Sequence, residues 1–199
     1  MILMGIVGGS GTGKSTVTNF LKEKMPDCVT INLDDYMRKY WEEYKEEIIS
    51  NLNLKIETEF WHAYLIKDID TVKKWASIIE KDIEKSIRNV ISENRDAKII
   101  ILDWAFLPLF PIYNECDITI FVKCDLDIKL NRLTKKLKKK GTLGRWNVQT
   151  LLDRLENTSL EEWGYLATYT ISNNGTLDEL ENNVNYVKDI YFDNDLIFK

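Results

Sequence analysis

The chain has 199 residues, and 27 Lys and Arg against 32 Asp and Glu give a formal net charge of −5. A hydrophobic share of 44%, with three Pro and nine Gly, supplies a sizeable core and argues for one compact domain over residues 1–199 rather than a disordered or low-complexity chain. No stretch approaches the roughly 18 consecutive apolar residues of a membrane span, and the N-terminus lacks the basic region and cleavage site of a signal peptide. A cytoplasmic protein with no membrane partner is the expectation. Cys28, Cys116 and Cys124 show no CxxC spacing, and His62 is the single histidine. These counts exclude a disulfide scaffold, a zinc finger and any mechanism that needs two histidines.

Charge is unevenly placed. Between Arg132 and Arg145 lie seven basic residues (Arg132, Lys135, Lys136, Lys138, Lys139, Lys140, Arg145) and no acidic one, which leaves the remainder of the chain at −12. A nucleic-acid binder is usually basic overall, so an acidic body with one cationic segment points to a local anion and to no nucleic-acid partner.

In chain order, Ile2 to Val7 read as a strand that runs into glycines, and Val17 to Met25 as a helix stopped before Pro26. Cys28 to Leu33 form a second strand. Asp34 and Asp35 follow in helix-start position, ahead of an aromatic-rich helical stretch with Tyr36, Met37, Tyr40, Trp41, Tyr44 and Ile48. Residues 70–94 place Val72, Trp75, Ile79, Ile83, Ile87, Val90 and Ile91 on one helical face. The runs 98–103, 116–122 and 168–172 complete five short apolar strands, mostly separated by helical segments. Strands alternating with helices predict an α/β fold of three layers, an approximately five-stranded parallel sheet with helices on both faces. A helical insertion on the substrate side over about 36–95 and a helical lid over about 132–147 are expected to decorate it. Ligand should bind at the C-terminal ends of the strands, where Gly8, Asp34 and Asp103 stand.

The stretch Gly8, Gly9, Ser10, Gly11, Thr12, Gly13, Lys14, Ser15 satisfies GxxxxGK[ST] and sits between a predicted strand and a predicted helix, with Thr16 just inside the helix. Glycines let the backbone wrap a phosphate so that amide N–H groups and the helix N-terminus face it. Lys14 adds a cation and Ser15 a ligand for Mg²⁺. The pattern predicts binding of a nucleoside triphosphate and leaves open what is done with it. Asp103 ends a run of four aliphatics, a position from which a carboxylate can hold Mg²⁺ through water; its plainer role is to cap the next helix. Asp34 and Asp35 carry the same ambiguity, between general base toward a substrate hydroxyl and helix cap. Asp34 is the first choice for the base. His62 and the tryptophans Trp41, Trp61 and Trp75 could meet a ring of the acceptor, yet such residues more often pack in a core.

Taken together, GGSGTGKST near the N-terminus, the Asp-bearing turn after strand two, Asp103, the basic segment and Ile171-Ser-Asn-Asn-Gly-Thr-Leu-Asp-Glu-Leu180 resemble dephospho-CoA kinase. More broadly, they resemble the P-loop small-molecule kinases that include the uridine kinases. The resemblance implies a P-loop kinase fold and ATP-dependent transfer of a phosphoryl group to a hydroxyl of a nucleotide-like acceptor, a step of coenzyme A biosynthesis. It implies that Lys14 and Ser15 bind the ATP phosphates and Mg²⁺, and that Asp34 activates the acceptor. By the same likeness, Arg132 and Arg145 close over the phosphates, and Asn173, Asn174 and Gly175 border the adenine. Four features depart from the dephospho-CoA kinase pattern, and all lie outside the cradle: Asn32 where an Asp is usual, Glu80-Lys81 for His-Pro, Ala167-Thr168 for Ala-Asp, and a longer lid stretch around Lys138 to Trp146. A nucleoside kinase of the uridine kinase type and a nucleotide-binding regulatory module without kinase activity are the alternatives. A regulatory GTPase is disfavoured by the lack of NKxD and DxxG motifs.

Overall fold

A computed structural model describes residues 1–25, 27–55, 57, 59, 69–141 and 162–193. Five parallel strands form one sheet: β1 (Ile2–Val7), β2 (Cys28–Asn32), β3 (Ile99–Asp103), β4 (Ile118–Lys123) and β5 (Tyr169–Ser172), in the spatial order β2-β3-β1-β4-β5. The chain passes over β3 to reach β2, then crosses β1 on its way from β3 to β4. The direction of winding therefore reverses at β1, and such a switch point opens a crevice at the C-terminal edge of the sheet. In register, Ile6 and Asn32 both stand beside Asp103, and Ile6 also pairs with Ile120.

Period-two alternation sends side chains to two cores, one on each face of the sheet. Met4, Ile6, Ile99, Ile101, Ile118, Ile120 and Val122 meet helices α1 (Lys14–Lys24) and α5 (Leu177–Lys188) through Val17, Leu21, Leu180, Val184 and Val187. Leu3, Val7, Ile31, Ile100, Leu102 and Phe121 face the other way, toward helices α2 (Leu33–Asn51) and α3 (Ile69–Glu93). The regular three- and four-residue spacing in the sequence of α3 puts Val72, Trp75, Ile79, Ile83 and Ile87 at 0% exposure, which is why a helix of 25 residues holds its place. Trp41 and Trp75 belong to this core, 1% and 0% exposed, so neither offers a ring to an acceptor. Trp75 meets Trp104 edge-on at 5.9 Å, and Trp104 stacks on Phe110 at 4.9 Å.

One feature differs from the sequence-based expectation. No α-helix joins β3 to β4; two short 3-10 turns, Leu107–Leu109 and Pro111–Glu115, make the crossing. Pro108 and Pro111 stand at their starts, where the missing amide N–H costs least, and both prevent a longer helix from forming through this apolar stretch. Helix α4 (Leu126–Lys139) already contains residues 132–139 of the segment read as a lid. Leu133 and Leu137 are buried on one side of it, and the helix closes with the Gly141 N–H donating to Lys138 O at 3.0 Å. Residues 142–147 of that segment, with Arg145, and the part of the insertion holding Trp61 and His62 lie outside the described residues. Among the described residues no helix is long and apolar enough to cross a membrane.

Candidate active site

The phosphate loop is built by its glycines. Gly13 takes a φ of +91° and caps α1, its carbonyl accepting from the N–H groups of Thr16 at 2.9 Å and Val17 at 3.1 Å. Gly11 takes +78°, and a Cβ there would stand 2.8 Å from Lys129 O of α4. Both conformations are costly for any residue with a side chain. Thr12, 2% exposed, braces the turn by donating from Oγ1 to Gly9 O at 2.9 Å. Gly8 and Gly9 lead out of β1, Ser10 forms the outer part of the loop, and Ser15 is exposed in the first turn of α1. A loop that hugs the start of an 11-residue helix is an anion cradle, since helix-terminal N–H groups and the macrodipole favour negative charge there.

At the floor of this cradle, Lys14 Nζ donates to Asp103 Oδ1 in an ion pair whose side chains are 14% and 10% exposed. Thr18 Oγ1 donates to Asp103 Oδ2 at 3.0 Å and lies 3.1 Å from Lys14 O. Asp103 therefore faces the loop across the sheet from β3 and does not cap a following helix. Thr18 was missed in the sequence. Its signal is the four-residue spacing from Lys14, which puts both on one face of α1.

Asp34 and Asp35 lie in the first turn of α2. The cap of that helix is Asn32, whose Oδ1 accepts the Asp34 N–H at 3.1 Å, so neither aspartate fills the capping role. β2 is not beside the phosphate-loop strand, because β3 intervenes. Both aspartates are exposed, and they follow Asn32, which stands beside Asp103 in register.

Opposite them, Arg132 of α4 reaches over to the turn after β5. Its Nη1 donates to Asn173 O at 2.9 Å and to Cys124 Sγ at 3.4 Å, and its Nη2 donates to Asn173 Oδ1 at 3.3 Å. Asn173 Nδ2 donates in turn to Thr12 O at 2.7 Å. Asn174 Oδ1 accepts from the N–H of Asp125, the residue that precedes α4, at 2.8 Å. Gly175 precedes a reciprocal cap, in which Thr176 Oγ1 accepts the Glu179 N–H at 3.2 Å and the Glu179 carboxylate accepts the Thr176 N–H at 2.7 Å. The structure thus brings the loop, Lys14, Asp103, Arg132 and the 173–175 turn together. Burial pushes the Cys124 thiol above its ordinary value, and burial with Asp117 and Glu115 nearby pushes Cys116 up to about 12. These are packed thiols rather than nucleophiles, and all three cysteines are free.

Among the described residues no three metal-binding side chains cluster; Ser15 and Asp103 are the hard oxygens beside the phosphate cradle that would hold Mg²⁺, and because the Asp103 carboxylate is engaged by Lys14 and Thr18 it would reach the ion through water. Mg²⁺ takes its other positions from phosphate oxygens and water.

A parallel sheet reversing at β1, with a phosphate loop at the reversal, defines the class as a P-loop kinase fold. A family model described as an AAA domain matches residues 4–164, and the chain belongs to that family. A uridine kinase of Borreliella burgdorferi (strain ZS7) is 25% identical over 173 residues, spanning 82% of this chain and 78% of the relative. A dephospho-CoA kinase of Oceanobacillus iheyensis is 27% identical over 190 residues, spanning 89% and 92%. Both are kinases, phosphotransferases with a hydroxyl acceptor. The crystal structure of TT1252 from Thermus thermophilus superposes with a TM-score of 0.69 at 19% identity, covering 96% of this chain and 97% of that one, and shares the fold.

Proposed function

We propose that the protein is an ATP-dependent small-molecule kinase acting on a nucleotide-like acceptor of the dephospho-CoA type. The observation that carries this reading is the Lys14–Asp103 pair at the floor of a glycine loop whose tip is tied to the Asn173 turn and Arg132. The whole chain acts as one kinase domain, with 36–95 on the acceptor side and 132–147 toward the phosphates. Loop amides and Lys14 bind the β and γ phosphates of ATP, and Arg132, joined by Arg145, neutralises charge that builds on the transferred group. The turn at Asn173, Asn174 and Gly175 borders the adenine. Asp34 takes the proton from the acceptor hydroxyl as its oxygen bonds to the γ phosphorus, while the bond to the β–γ bridging oxygen breaks and ADP leaves. Ser15 and Asp103, the latter through water, would hold Mg²⁺, which supplies charge neutralisation between the phosphates when bound.

A second reading, a nucleoside kinase of the uridine kinase type, is favoured by the uridine kinase relative and by Asn32, which departs from the dephospho-CoA kinase pattern. One screen separates the readings: ADP release from ATP in the presence of dephospho-CoA, uridine, cytidine or nucleoside monophosphates. Acceleration by dephospho-CoA alone supports the first reading and acceleration by nucleosides the second. ATP binding with no acceptor-dependent release would instead indicate a regulatory module.

A further inference from the structure

The geometry points to Asn173 as a positioning residue that sets both the phosphate loop and Arg132, rather than a reader of the nucleotide base. Asn173 is 4% exposed, and its polar groups are taken up by the protein. Its N–H donates to Lys123 O at 2.9 Å, extending the end of β4. Its carbonyl and its Oδ1 accept the two ends of the Arg132 guanidinium, at 2.9 and 3.3 Å. Its Nδ2 donates to Thr12 O at 2.7 Å.

Each contact has a geometric consequence. A trans peptide is planar, with its carbonyl and the next N–H pointing opposite ways. Holding Thr12 O against Asn173 therefore fixes the direction of the Gly13 N–H, one of the amides of the cradle. The fork from Arg132 fixes a guanidinium whose Nη1 lies 3.9 Å from where a Gly13 Cβ would stand. One residue thus orients a loop amide with its side-chain donor and an arginine with its backbone and side-chain oxygens together. Asp lacks the donor and would set a charge against the Thr12 carbonyl, and Ala lacks both groups. The glycine at position 13 belongs to the same device, because a side chain there would collide with Asn173 Nδ2.

This inference rests on the kinase reading for its catalytic arm only. The test is a double-mutant cycle of Asn173→Ala with Arg132→Ala, with Asn173→Asp as the conservative variant, each checked for folding by thermal denaturation. ATP affinity is measured by calorimetry, and kcat by ADP release with whichever acceptor the wild type turns over. Asn173→Ala is expected to lower kcat by about tenfold or more, since arginines on a transferring phosphoryl group are worth large factors. In the Arg132→Ala background the same change should cost clearly less, because the two residues act as a unit. Asn173→Asp, which keeps an acceptor for Arg132, should recover much of kcat while ATP affinity stays weakened by several-fold or more. An equal loss in both backgrounds, or ATP affinity unchanged in a folded Asn173→Asp, would overturn the assignment. If no acceptor supports turnover, the kinase reading fails, and the affinity arm still decides the role of Asn173. If Asn173→Ala does not fold, the ATP affinity of Asn173→Asp decides the assignment, weakened affinity supporting it and unchanged affinity overturning it.

Discussion

Lys14 and Asp103 hold each other where neither is well solvated, and this pairing changes what a substitution does. In Lys14→Ala, Asp103 keeps the Thr18 hydroxyl at 3.0 Å but loses its cation. A largely buried carboxylate left without its charge partner costs more than the roughly 1–3 kcal/mol of an unsatisfied neutral group. Lys14→Ala should therefore lose ATP-dependent turnover and also melt several degrees lower, which calorimetry and an ADP assay read together; unchanged turnover in a folded variant would count against the site. Nothing in GxxxxGKS reveals the partner of Lys14 on β3. Asp34→Asn removes a charge without removing a cap, since Asn32 caps α2. The expected result is a fall in kcat of roughly 10²- to 10⁴-fold with ATP affinity little changed, the mark of a lost general base. An inactive Asp35→Asn beside a nearly silent Asp34→Asn would move that role by one residue. The sequence cannot separate two adjacent aspartates, because the first turn of a helix aims consecutive side chains about 100° apart and only the acceptor decides between them.

At the scale of elements, the motif and the strands were legible because each rests on a local rule. β1 runs Ile2–Val7, as its apolar run predicts, and α3 follows its three- and four-residue spacing almost to the ends. What was not legible depends on contacts between distant segments. The packing of Gly11 against Lys129 O is one such contact. Gly11→Ala should fold and yet weaken ATP binding by about tenfold or more, because a residue forced to +78° with a Cβ 2.8 Å from a carbonyl must move the loop. The basic run offers another case. Its lysines fit a mobile lid, but every third or fourth residue of α4 is apolar or packed, with Lys129, Leu133 and Leu137 buried. Backbone amides in the second half of α4, residues 130–139, should thus be protected from hydrogen exchange with or without ATP and acceptor. Rapid exchange of these amides in the free protein would return this half of the helix to the lid.

For the whole molecule, the arrangement of cores explains why the crevice is where it is. Both faces of the sheet are covered, by α1 and α5 on one side and α2 and α3 on the other, so the C-terminal edge at the β1 switch point is where a ligand meets strand ends and loops together. Parallel strands and crossovers could be read from alternation along the chain. The order β2-β3-β1-β4-β5 could not, since it follows from which strand each crossover reaches, and it is this order that sets β3 between Asp34 and the phosphate loop. The fold and the cradle describe a site that moves a phosphoryl group rather than one that only senses a nucleotide. Phosphorus NMR of the full chain with ATP, Mg²⁺ and dephospho-CoA tests that claim most directly. The account predicts a new phosphomonoester signal on the acceptor that grows in step with ADP and does not form with Lys14→Ala. ADP accompanied by free phosphate alone, or the same signal from Lys14→Ala, would contradict it.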